Sequence, residues 1–149
     1  MEARDLMTDN PIICTPADNV QSVARQMKDN SIGLLPVVDN REDKRLIGVL
    51  SDRDLVCRVL SQDGMACEKA TVQDAMTTGN IFCVHPDSSL DEVLDLMEQG
   101  QVRRLPVVDD ANKIVGIIAT ADIALDVEEA DEVAEVFEII SAPTHMPHA

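Results

Sequence analysis

The stretch Gly48-Val49-Leu50-Ser51-Asp52-Arg53-Asp54 sets a hydroxyl and a carboxylate three residues apart, with a guanidinium between them. Two kinds of chemistry fit that spacing. In one, Ser51 is a helix N-cap whose oxygen takes the free amide of Asp54, while Asp54 reaches back to the amide of Ser51 in a capping box. In the other, the same junction faces a ligand, because a helix start presents unpaired N–H groups and a positive dipole end to an anion. Ser51 then donates to a phosphate, Arg53 neutralises it, and Asp54 accepts from the paired hydroxyls of a ribose. Both readings require a strand that ends near Leu50 and a helix that begins near Ser51.

Other groups are candidates for chemistry. Arg103 and Arg104 are adjacent arginines in a chain with 12 basic and 28 acidic residues; they either balance an acidic surface or bind phosphate, which guanidinium matches well. Cys83-Val84-His85 and His145-Met146-Pro147-His148 hold metal-ligand types, but no further ligand lies at a recognisable spacing, and no metal is assigned. Cys14 and Cys83 are possible redox thiols, with at most a helix terminus nearby to lower their pKa. No nucleophile and base form a supported pair, and there is no Walker-type loop, so an enzyme is not expected.

The elements that position these residues come in duplicate. Leu35-Pro36-Val37-Val38-Asp39 returns letter for letter as Leu105-Pro106-Val107-Val108-Asp109. At the same offset Pro16 falls on Pro86, Val23 on Val93 and Met27 on Met97; Asp5, Met7 and Thr8 fall on Asp74, Met76 and Thr77 with a slip of one. Gly48 falls on Gly116 and Asp54 on Asp122, as a longer turn in the first copy (Asn40 to Arg45 against Asp110 to Lys113) requires. Val20, Val23, Ala24 and Met27 sit at i, i+3, i+4 and i+7, as do Leu90, Val93, Leu94 and Met97, which gives each copy one apolar helical stripe. Asp18 and Ser88 stand where N-caps belong. Short apolar runs flank each helix: Ile12 to Cys14 and Ile81 to Val84 before, then Leu34 to Val38 with Leu46 to Leu50, and Leu105 to Val108 with Ile114 to Ile118. A second helix begins near Ser51, with Leu55, Val56, Val59 and Leu60 facing inward, and another near Ala119 or Thr120. Each copy reads β-α-β-β-α, an α/β (α+β) unit of marginal size that must bury its open sheet face against the other copy with pseudo-twofold symmetry.

The domain reading is a first repeat over 1–62, a linker over 63–70 containing Gly64, a second repeat over 71–126, and an acidic helical tail over 127–149. In that tail Ala130, Val133, Ala134, Phe137 and Ile140 form an apolar stripe whose other face is almost entirely carboxylate, either a docking helix or a solvated cover. Ser141 to Ala149 reads as a frayed end. A formal charge of −16 repels phosphate backbones and anionic lipid, so neither nucleic acid nor a membrane is an expected partner. No apolar run spans a bilayer, no leader follows Met1, and Cys14, Cys57, Cys67 and Cys83 form no CxxC pair, so a soluble cytoplasmic protein with reduced thiols is expected. With Phe82 and Phe137 as its two aromatic residues, the chain must grip any planar ligand with aliphatic side chains and backbone.

The duplicated Leu-Pro-Val-Val-Asp strand and the Gly-x-x-Ser-x-x-Asp junction resemble a tandem cystathionine-β-synthase-type (CBS) domain pair, or Bateman module, over about residues 3 to 125. The resemblance implies a regulatory, energy-sensing module that binds adenine nucleotides (AMP, ADP or ATP) or the related S-adenosylmethionine or NAD in clefts between the repeats, and that commonly forms a homodimer. It implies phosphate contact by Ser51 and ribose contact by Asp54. In the second copy Asp122 matches, but Ala119 replaces the hydroxyl and Thr120 stands one position late. Relatives often carry a Thr in the first strand, where Ile13 and Cys83 stand here; the backbone of that strand can still read an adenine edge. Arg103 and Arg104 resemble the basic pair that nucleotide-sensing relatives aim at phosphates, where the first copy has Gly33-Leu34. The function expected is a ligand sensor that signals to an unidentified partner protein; the alternative is a ligand-free dimerisation or scaffold module acting through its surface and tail.

Overall fold

A computed structural model describes residues 1–126 and 138. The acidic tail, with its apolar stripe and the histidines His145 and His148, lies outside the described residues apart from Glu138. In the order of the chain the elements are α1 (Ala3–Leu6), β1 (Thr8–Asp9), α2 (Val20–Asn30), β2 (Leu34–Val38), β3 (Leu46–Ser51), α3 (Asp52–Leu55) running into a π-helical turn (Val56–Leu60), α4 (Val72–Ala75), α5 (Leu90–Gly100), β4 (Arg104–Val108), β5 (Ile114–Ala119) and α6 (Thr120–Asp126). Two compact units form. One comprises Asp9–Ile81 with Val108–Val115; the other comprises Met1–Thr8, Phe82–Val107 and the described residues from Gly116 onward. The sequence repeat and the compact unit are thus different divisions of the chain, since the short helix that opens each repeat clusters with the other one.

In the first-repeat unit, α2 buries Val20, Val23 and Met27, the stripe its 3.6-residue period dictates. It packs on an antiparallel pair in which Leu35 opposes Leu50 and Val37 opposes Gly48. The core is Cys14, Val20, Val23, Met27, Leu35, Val37, Leu50 and Val59, closed by Ala70, Val72 and Ala75. Val72 and Ala75 belong to α4, which is tied to the loop before α2 by Val72 N–H donating to Asp18 C=O (2.8 Å) and Gln73 N–H to Pro16 C=O (3.0 Å). The Asp110–Lys113 turn joins this unit as Leu46 N–H donates to Asn112 C=O (3.0 Å) and Ile114 N–H to Lys44 C=O (2.9 Å).

The second-repeat unit repeats the plan. The three-stranded sheet of the chain runs in the order β1-β5-β4; in this unit α5 buries Val93, Leu94 and Met97, and α1 bonds to the loop before α5 through Ala3 N–H to Ser88 C=O (2.8 Å) and Arg4 N–H to Pro86 C=O (2.9 Å).

Three local expectations are corrected. The N-caps sit one residue later: Asn19 accepts from Gln21 and Ser22 N–H, and Ser89 from Glu92 N–H. Asp18 and Ser88 instead close the preceding turn, accepting from Thr15 and His85 N–H (2.9 and 3.0 Å). Those same bonds shorten the first strand of each repeat. Cys14 pairs with Val37 and Val84 with Val107 as single parallel bridges, and the ladder stops because the next N–H is already used and the residue after it, Pro16 or Pro86, has none. Finally, Val56 and Leu60 do not face inward; they are 53% and 65% exposed while Val59 is buried. Ser61 N–H donates to Val56 C=O, an i to i+5 bond that widens the turn and shifts the phase of the apolar stripe. No helix among the described residues is long and apolar enough to cross a membrane.

Candidate functional site

β3 delivers Ser51 to the start of α3 with extended backbone, and the capping box forms in full. Asp54 N–H donates to Ser51 Oγ (3.1 Å) and Ser51 N–H donates to Asp54 Oδ2 (3.0 Å). A third residue joins them. Thr77 Oγ1 donates to both Asp54 oxygens, at 3.2 and 3.3 Å. All three side chains are half-buried, so the cluster is held by protein and still reachable.

Thr77 is brought there by backbone. Val49 and Thr77 exchange both main-chain hydrogen bonds (3.0 and 2.8 Å). Gly48, buried in β3, leaves the room: a Cβ there would lie 2.8 Å from the Thr77 carbonyl oxygen. Arg58, on the π-helical turn, donates from Nη1 to Met76 C=O (2.8 Å) and more weakly to Ala75 C=O (3.4 Å). The sequence reading gave no role to Thr77 or Arg58, and named Gly48 as the first residue of the junction without saying what it makes room for. A signal was present in the match of Met7-Thr8 to Met76-Thr77, which marked the segment as part of the repeat without saying what it touches.

The other candidate residues divide between the units. Beside Ser51 and Asp54, Arg53 is exposed and its N–H donates to Asp52 Oδ1 (2.8 Å). Ile13 is half-buried, next to the Cys14 bridge. In the second-repeat unit Ala119 N–H donates to Asp122 Oδ2 (2.9 Å), which is half of the box, since alanine has no oxygen to return. Thr120 N–H donates to Arg103 C=O (2.9 Å), as Asp52 N–H does to Gly33 C=O (2.9 Å) in the first. Arg103 is exposed, Arg104 opens β4 half-buried, and Cys83 is half-buried beside the Val84 bridge.

Neither candidate thiol, Cys14 nor Cys83, is activated. Burial pushes the Cys14 thiol up to about 12, with Asp18 adding to the rise and Arg41 opposing it, and burial likewise raises Cys83. Among the described residues no three His, Cys, Asp or Glu side chains gather as a metal site.

The CBS domain family model matches residues 3–61 and 72–129. The protein YlbB of Bacillus subtilis (strain 168) is 39% identical over 141 residues, 93% of this chain and 90% of YlbB. Hypoxic response protein 1 of Mycobacterium tuberculosis is 35% identical over 127 residues, 85% of each chain. The B. subtilis inosine-5'-monophosphate dehydrogenase match, 32% identical, spans 80% of this chain but 23% of that enzyme. Among solved structures, Hypoxic Response Protein I with two coordinated zinc ions superposes with a TM-score of 0.76 (34% identity, 85% of this chain and 99% of that one). CBSX2 of Arabidopsis thaliana in complex with AMP gives 0.72 (25% identity, 83% and 94%). The CBS domain pair of MJ0100 with 5-methylthioadenosine and S-adenosyl-L-methionine also gives 0.72 (28% identity, 84% and 98%). With both repeats matched and a relative at 39% identity along nearly its whole length, the chain belongs to the CBS domain family.

Proposed function

We propose that this chain is a non-enzymatic regulatory module that binds an adenosine-containing ligand and signals its presence to a partner protein. AMP, ADP and ATP are the first ligands to consider, with S-adenosylmethionine and NAD after them. The observation that carries the reading is the Ser51 and Asp54 pair. Ser51 Oγ accepts the Asp54 N–H and keeps its own proton to donate to phosphate, so the capping box and ligand contact are compatible. Asp54 is an acceptor-only group with lone pairs to spare for a ribose diol. The neighbours solved with AMP and with S-adenosylmethionine support an adenosyl ligand.

Arg53, Arg103 and Arg104 are the cations on offer to phosphate. Backbone beside Ile13 and Cys83 reads the adenine edge. At Asp122, where Ala119 supplies no hydroxyl and Thr120 stands one position on, a nucleoside fits better than a nucleotide. Regulation requires the ligand to bind two states of the module unequally. We assign this work to a homodimer in the cytoplasm.

Isothermal titration of the nucleotide-stripped protein with AMP, ADP, ATP, NAD and S-adenosylmethionine tests the reading, alongside Asp54→Ala and Asp122→Ala. Micromolar affinity, about −8 kcal/mol, that is lost in Asp54→Ala supports it. Silence across the panel overturns it.

One observation favours a second reading, a ligand-free dimerisation or scaffold module. A groove of about 360 Å³ in the first-repeat unit is lined by Val20, Met27, Leu55, Val56, Val59 and Leu60 among others, with Val56 and Leu60 more than half exposed. A silent titration, together with a dimer in sedimentation that Leu60→Glu dissociates, selects this reading.

A further inference from the structure

The contact between Thr77 and Asp54 joins parts of the chain that the repeat places in different copies, yet both lie in one compact unit. It is supported from several sides. The two-way backbone pairing with Val49 sets the height of Thr77 along β3. The missing Cβ at Gly48 sets how closely it approaches. Arg58 fixes the carbonyl of the preceding residue, and α4, just upstream, is bonded to the loop before α2. An exposed threonine needs none of this. The side chain that results spans both oxygens of a carboxylate and leaves neither free to rotate.

We propose that Thr77 is a positioning residue for ligand recognition: it holds the Asp54 carboxylate in the one orientation that accepts both hydroxyls of a ribose. This rests on reading Asp54 as the ribose acceptor. An ionised carboxylate has about four lone-pair sites. Ser51 N–H occupies one on Oδ2, and the single Thr77 proton, within reach of either oxygen, fills one more, so two are left for a diol. The remaining sites lie in a plane set by those two donors, so a diol meets acceptors that are already oriented and loses less entropy on binding. The second repeat lacks this brace. Among the described residues Asp122 receives the Ala119 N–H, and Thr8, the counterpart of Thr77, makes no hydrogen bond to it. Of the two carboxylates, Asp54 is therefore the one preorganised for a diol.

The test compares ribose-bearing ligands with ligands lacking the diol. The full chain and its variants Thr77→Val, Thr77→Ser and Asp54→Ala are titrated calorimetrically with AMP and ATP and with their 2′,3′-dideoxy analogues. Thr77→Val is expected to weaken the parent nucleotide about five- to tenfold, the loss of one hydrogen bond's orientation, and to leave the dideoxy analogue unchanged. Thr77→Ser restores the parent affinity. Should valine unfold the protein, Thr77→Ala carries the same comparison. Equal weakening of parent and dideoxy ligand means that Thr77 only supports the fold, and overturns the inference. Binding that Asp54→Ala abolishes and Thr77→Val leaves untouched overturns it too, with the proposed function intact. Failure of AMP and ATP to bind the wild type, or binding indifferent to Asp54→Ala, removes the Asp54 reading and this inference with it.

Discussion

Gly48 and Thr77 meet where no side chain fits: a Cβ on Gly48 would stand 2.8 Å from the Thr77 carbonyl oxygen, which is backbone and cannot swing aside. The cost of a larger residue there falls on the Val49–Thr77 pairing and, through it, on the Thr77–Asp54 hydrogen bonds. Gly48→Ala is expected to destabilise the protein by about 1–3 kcal/mol, the usual range for forcing one carbon into a packed position. Urea denaturation measures this. A variant as stable as the wild type means the Thr77 segment yields without resistance, and the site is softer than its hydrogen bonds imply.

The second repeat offers the opposite experiment. Asp122 already accepts the Ala119 N–H, so half of the capping box is in place and an oxygen at position 119 is what it lacks. Ala119→Ser supplies the acceptor for the Asp122 N–H. A serine cap is worth about 0.5–2 kcal/mol over alanine, and a gain in that range is expected in denaturation. An unchanged or lowered stability sinks the idea that the two junctions differ by that single atom.

What was legible in the sequence, and what was not, follows the range of the forces involved. The stripe of Val20, Val23 and Met27 is a local periodicity, and it is buried as read. The strands around Leu35 and Leu105 were equally plain, because apolar runs bounded by turn residues have few alternatives. The reciprocal bonds of Ser51 and Asp54 were legible because a capping box is fixed by a spacing of three. Thr77 was not. It lies 23 residues from Asp54, and a pairing with Val49 puts it there, which no local pattern announces. The exposure of Val56 and Leu60 was missed for a related reason. A helical stripe assumes an α-helical period, and the i to i+5 bond at Ser61 breaks it.

The thiol of Cys14 is buried and donates to Pro36 C=O (3.7 Å), and its pKa is pushed up to about 12. Since the thiolate is the reactive species, alkylation of the native protein at pH 8 is expected to reach Cys14 far more slowly than an ordinary exposed thiol. Peptide mapping after timed iodoacetamide treatment reads the order, with half-buried Cys57 and Cys67 ahead of it. Modification of Cys14 at the rate of Cys57 would return it to the pool of regulatory thiols.

Asp18 closes the turn before α2 with its carboxylate bound by Arg41 on both oxygens (2.8 and 3.3 Å) and by Thr15 N–H and Oγ1 (2.9 and 3.1 Å). Burial works against the charged form, but the hydrogen bonds from Arg41 and Thr15 and the charge of Arg41 outweigh it and hold Asp18 below the ordinary carboxylate range. A carboxylate whose pKa is depressed by folding stabilises the fold at pH values above its unfolded pKa, about 3.9, and that contribution is lost as pH falls through the folded value. The Arg41 side chain is 56% exposed, so solvent screens the pair and its worth at neutral pH is about 0.5 kcal/mol. Arg41→Ala is expected to cost that much in urea denaturation at pH 7, less in high salt, and progressively less as pH falls below the unfolded value and through the lowered folded value of Asp18. A penalty that does not change as pH falls from 7 through the acid range would assign the effect to the packing of the Arg41 side chain and not to its charge.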